Sequence, residues 1–90
     1  MTPLYRPRKY ELVAVHWVDA QHDAEYDGTA EGYTPSLPLL EDVGFFVKRT
    51  KDTIVLASCI ERESGTIRFL VTIPTKLVSS IETREPKEVA

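Results

Sequence analysis

The stretch Ile67-Arg68-Phe69-Leu70-Val71-Thr72-Ile73-Pro74-Thr75-Lys76-Leu77-Val78-Ser79-Ser80-Ile81 decides the reading of the fold. From Ile67 to Ile73, Ile67, Phe69, Val71 and Ile73 alternate with Arg68, Leu70 and Thr72, which is the pattern of a strand with one face buried. Pro74 ends the ladder, because proline has no amide proton to donate. Thr75-Lys76-Leu77 leaves room for one helical turn before Val78 to Thr83 resumes an extended pattern. A strand, a proline stop, one turn and a returning strand is how a small β-barrel closes.

Upstream, Ile54 to Glu61 reads as a strand joined to Ile67 through Arg62-Glu63-Ser64-Gly65-Thr66, with the glycine where a turn requires positive φ. Val43 to Arg49 is a further strand, separated from the next by the polar turn Thr50-Lys51-Asp52-Thr53. Together these three make an antiparallel meander. The first strand, Tyr10 to Asp19, places Val13, Val15 and Trp17 on one face and Leu12, Ala14, His16 and Val18 on the other. Both faces are more apolar than a solvated sheet requires, so the second is predicted to be covered by a loop or by another subunit. The expected architecture is all-β: a small five-stranded antiparallel barrel with a long acidic loop after the first strand and a single helical turn before the last. A basic extended arm is expected over 1–9, the barrel over 10–83 and a flexible charged tail over 84–90.

Between Ala20 and Asp42 the periodicity vanishes, and Gly28, Gly32, Pro35 and Pro38 punctuate a polar stretch. Structureless loops of this length are uncommon in compact domains and are usually functional or mobile. Charge singles out the same region. The 90-residue chain has a net charge of −3, yet residues 11–42 hold eight carboxylates and no Lys or Arg. Aromatic area beside carboxylates suits a basic peptide or a cationic protein surface. The partner-binding candidates are therefore Trp17, Asp23, Glu25, Tyr26, Asp27, Glu31 and Tyr33, with Leu37, Leu39 and Leu40 pinning the end of the loop. Pro35-Ser36-Leu37-Pro38 has polyproline-ligand spacing and reads as a rigid entry to the next strand.

A competing candidate set is basic: Arg6, Arg8, Lys9, Lys48, Arg49 and Lys51, which could hold nucleic acid or a small anionic ligand. An acidic lobe disfavours this reading, since affinity for nucleic acid rests on neutralising phosphates. No constellation points to catalysis, a metal or a cofactor. His16, Asp19, His22 and Asp23 match no closed metal-site spacing, and Asp23-x-Glu25-x-Asp27-Gly28 lacks the positions that complete a calcium loop. Cys59, the only cysteine, lies in an apolar run and reads as a small buried hydrophobe. No apolar run approaches membrane-spanning length, and a lone cysteine suits a reducing compartment, so the expected location is the cytoplasm.

The element order resembles the Src-homology-3-like barrels, and Ile73-Pro74-Thr75-Lys76-Leu77-Val78 is similar to that family's Ile-Pro-Ser-Asn-Tyr-Val before its last strand. The resemblance implies that the acidic loop stands where the family grips peptides. The family's tryptophan pair at the start of the third strand is not matched, because Lys51-Asp52-Thr53-Ile54 stands there, and Leu77 replaces its tyrosine. The proline-peptide groove is accordingly not carried over. The related Sm-like barrels imply the alternative of an oligomeric binder of nucleic acid or a small anion. Val15-His16-Trp17-Val18-Asp19, Val43-Gly44 and the Ile-Pro turn also resemble short bacteriophage-encoded proteins, which implies an origin and a role inside an infected bacterium, in its cytosol. The barrel pattern, the absence of a catalytic constellation and the two-faced apolar strands point to a self-associating interaction module that uses the acidic loop to contact a host or phage protein.

Overall fold

The computed structural model describes residues 3–84. Five antiparallel strands form one sheet: β1 (Leu12–Val18), β2 (Leu39–Arg49), β3 (Thr53–Glu61), β4 (Thr66–Pro74) and β5 (Val78–Thr83). A single 3₁₀ turn, Thr75–Leu77, separates the last two. Their spatial order is β4-β3-β2-β1-β5, so the last strand returns to pair with the first. Pro74 stands at the end of β4 opposite Thr53, where its missing N–H interrupts nothing, and the Thr75 N–H turns to the Asp52 carbonyl.

The sheet is one curled layer, and no ladder joins β4 to β5 among the described residues. Curvature comes from two irregularities. Register slips between His16 and Trp17 where β1 meets β5, and between Phe46 and Lys48 where β2 meets β3. Bulges of this kind bend and twist a strand. The bend lets all five strands share one core: Val13 and Val15 from β1, Phe46 from β2, Ile54 and Leu56 from β3, Ile73 from β4 and Ile81 from β5. Leu4 of the N-terminal arm, Trp17, Val71 and Val78 pack against that cluster. Gly44 sits buried in the same layer, where a Cβ would come within 3.0 Å of the Ala57 carbonyl oxygen.

Four strands differ in extent from the sequence reading, β2 by the most. β2 begins at Leu39, because its ladder with β1 continues to the pair Val18↔Leu39, and this shortens the loop to residues 20–38. Leu39 and Leu37 are exposed, and only Leu40 of the three leucines expected to pin the loop is half-buried. Phe69 also departs from expectation. It has φ 57° and is 77% exposed, although the pairs Ala57↔Leu70 and Cys59↔Arg68 on either side keep one register. A left-handed residue in mid-strand turns its side chain off the face that alternation assigns to it. Cys59 is exposed rather than buried: it shares a face of β3 with the buried Val55 and Ala57 but lies farther along the strand, where Ser58 on the opposite face is exposed as well.

The N-terminal arm is tied to the sheet at both ends. Tyr10, with φ 66°, donates its N–H to the Phe46 carbonyl, and the Phe46 N–H donates to the Glu11 carbonyl. Residues 3–5 run beside Ser79 to Ile81 of β5. Arg84, the first residue of the expected tail, still donates its N–H to the Leu12 carbonyl; the remainder of that tail lies outside the described residues.

Candidate functional site

The 20–38 loop carries its own packing. Turns close where the Tyr26 N–H reaches the Asp23 carbonyl and the Tyr33 N–H reaches the Ala30 carbonyl. The rings of Tyr26 and Tyr33 then meet edge to face, with centroids 4.9 Å apart. Such pairs add about 0.5–1.5 kcal/mol beyond their buried area. The Tyr26 hydroxyl donates to the Thr29 carbonyl, and the Tyr33 hydroxyl donates to the Asp23 carboxylate. Thr29 Oγ1 accepts the Gly32 N–H at 3.2 Å. A loop of nearly all-exposed residues thus has a fixed internal shape, which is the property that separates a binding loop from a slack tether.

That shape encloses an open cleft of about 640 Å³, lined by His22, Asp23, Glu25, Tyr26, Tyr33 and neighbouring small residues. Asp23, Glu25, Tyr26 and Tyr33 are brought together there; Asp27 and Glu31 lie on the same loop outside the lining. Trp17 is elsewhere. It is half-buried against the core, and its indole N–H donates to the Asp42 carboxylate at 2.7 Å. Register explains the displacement, since Trp17 stands opposite Leu40 and beside the pair Val15↔Asp42 on the core side of the sheet. Asp42 is therefore a partner for the indole within the fold, a role that counting carboxylates could not distinguish from a ligand contact.

The basic candidates disperse and partly reassemble. Arg6 and Arg49 face one cleft of about 570 Å³ together with Lys76, and Lys51 lines an adjoining pocket of about 340 Å³. Lys9 lies over the Tyr10 ring, 5.0 Å from its centroid, and Arg8 contributes its backbone N–H to Glu11. Lys48 is exposed on β2. Lys76 and Thr75 were missed by the sequence reading. Their turn reads as a closure device, and nothing in its composition says which arginines the curled sheet will bring beside it.

A charged row crosses the outer face. His16 Nε2 lies 3.4 Å from Glu41 and 3.6 Å from Glu82, and the Arg84 guanidinium is 3.3 Å from Glu41. This places His16 between β2 and β5 carboxylates, away from Cys59 on β3. No group of three His, Cys, Asp or Glu side chains converges on a metal-sized position among the described residues. No helix among them is long and apolar enough to cross a membrane. Comparison with protein-family models, with curated proteins and with solved structures finds no match. Fold and side chains together define a small all-β domain with an acidic aromatic cleft and a basic cleft among the described residues.

Proposed function

We propose that the chain is a non-enzymatic interaction module whose acidic loop captures a cationic peptide or protein surface. The observation that carries this reading is the preformed cleft in which Asp23 and Glu25 flank the edge-to-face pair Tyr26 and Tyr33. Rigid aromatics offer contact area at small entropic cost, and unneutralised carboxylates steer a cation towards it. No Lys or Arg occurs anywhere in residues 11–42 to quench that field. The supporting scaffold is a partly open Src-homology-3-like barrel: its five strands share one core, and one turn after Pro74 leads back to β1. The bacteriophage origin and bacterial cytosol implied by the resemblance belong to the same reading.

A fluorescent peptide rich in Lys and Arg with one aliphatic residue tests it by anisotropy. Affinity should fall with added salt, as screening predicts for exposed charges. Asp23→Asn with Glu25→Gln should weaken binding by about tenfold or more, since charge-assisted hydrogen bonds are worth about 1.5 kcal/mol or more each. Asp27→Asn with Glu31→Gln, outside the cleft, should cost much less. Equal losses from both pairs would reduce the loop to a general field, and no loss from either would reject it as the site.

A further inference from the structure

We propose that the cleft between residues 3–6 and the Thr75–Leu77 turn is a site for a phosphate-type oxyanion. Three cations from three separate elements face it: Arg6 from the arm, Arg49 from the end of β2 and Lys76 from the 3₁₀ turn. No carboxylate shares the lining, and none of the three cations makes an ion pair among the described residues. Clustered like charge opposes folding unless something answers it, and in a chain of net charge −3 it is not the residue of a generally basic surface.

A second observation falls on the same turn. The Thr75 hydroxyl oxygen is buried and has no hydrogen-bond partner, while the Thr75 N–H is already used by the Asp52 carbonyl. A buried polar atom left unpaired is costly, and such exceptions ask for a missing partner. Leu4 and Val78 back the cleft with apolar surface, which lowers the local dielectric and strengthens any charge-assisted bond formed against it. Two guanidinium groups that can bind oxygen pairs in a fork and an ammonium match the tetrahedral, negatively charged oxygens of a phosphate group better than a single planar carboxylate. The adjoining pocket shares Thr75 and Lys76 and adds Lys51 with a single acid, Asp52, so a longer phosphorylated ligand has a basic path to follow.

A free phosphate ester and the backbone of a single-stranded nucleic acid present this chemistry alike, and separate titrations distinguish them. Isotope-labelled full chain is titrated with inorganic phosphate, and separately with a short oligothymidylate, each against sodium chloride at equal ionic strength. Saturable amide shifts confined to the neighbourhoods of Arg6, Arg49, Thr75 and Lys76 are expected. Arg49→Gln or Lys76→Gln should weaken binding about tenfold each, and Thr75→Val should weaken it less. All three positions lie at the surface or on the turn, and the remaining amide spectrum reports whether each variant is folded. Saturation by phosphate assigns a small oxyanion; saturation by the oligonucleotide alone assigns a phosphodiester backbone. Shifts no larger than those with chloride, or a constant unchanged in Arg49→Gln and Lys76→Gln, would overturn the proposal, and neither result bears on the acidic loop.

Discussion

Phe69 is the clearest case of a side chain whose place is set against its own pattern. Left-handed backbone costs a non-glycine residue about 1–2 kcal/mol, and bulky residues adopt it rarely. Phe69 bears that cost while leaving its ring 77% exposed, so little packing offsets it. Phe69→Gly is therefore expected to leave stability unchanged or raise it by up to about 1 kcal/mol, read from urea unfolding midpoints. A loss above about 1 kcal/mol would show that the ring packs in solution. Leu70, 54% exposed beside it, makes this corner of edge strand β4 an exposed apolar pair. Trp17 shows the opposite outcome. Its indole looks like a recognition residue in the sequence and instead packs against the core, bonded to Asp42.

Among the elements, the N-terminal arm has one carboxylate tether besides its backbone bonds to β2 and its packing on the core. The Glu11 carboxyl is held below the ordinary carboxylate range by the Thr83 hydroxyl first, then by the Arg8 amide and the Tyr5 hydroxyl. The Tyr5 hydroxyl is correspondingly raised by its bond to Glu11. A carboxyl with a depressed folded pKa supports the fold above its unfolded pKa and loses that support as pH falls through the folded one. Acidification below the usual glutamate range should therefore loosen the contacts of residues 5–11, followed by exchange of the Arg8 amide or by Tyr5 resonances. Glu11→Gln should remove that pH dependence, and Tyr5→Phe should move the carboxyl titration upwards. If arm order in the native chain is the same on both sides of the carboxylate range, the Glu11 tether is not what holds it. The outer row His16, Glu41, Glu82 and Arg84 is exposed to solvent in most of its members, and pairs of this kind contribute about 0–1 kcal/mol each.

The whole molecule is longer than a packed chain of its size. Its radius of gyration is 16.8 Å and its longest extent 57 Å, against about 12 Å expected for the radius of a compact 90-residue domain. A small core and an exposed loop leave much apolar surface outside. Leu39, Val43 and Leu70 lie on the sheet face opposite the core, and Leu39 is 79% exposed. We propose, alongside the acidic-loop reading, that self-association covers these exposed residues. Sedimentation of the native chain at rising concentration should show reversible association, and Val43→Glu with Leu70→Glu should return it to monomer without changing the circular dichroism. A native chain that stays monomeric at high concentration would remove self-association from the proposal while leaving both clefts as they are.

By itself the sequence determined the five strands, their order along the chain, the break at Pro74 and the charge of the long loop. These are local properties: alternation of side chains, a missing amide proton and an unbroken run of carboxylates need no distant partner to be read. Tertiary structure decided the rest. Whether Val43 or Phe46 faces the core, where Phe69 points and what Trp17 bonds to depend on register, and one positive φ or one bulge redirects a side chain that alternation had placed. The acidic cleft was half legible, because Asp23, Glu25, Tyr26 and Tyr33 are neighbours in one loop, yet which carboxylates line it depends on how two turns close around the tyrosines. The basic cleft was legible in part, because Arg6, Arg49 and Lys51 already stood in one basic candidate set, yet that Arg6 and Arg49 meet Lys76 depends on the curled sheet carrying the arm, the end of β2 and the proline turn to one place.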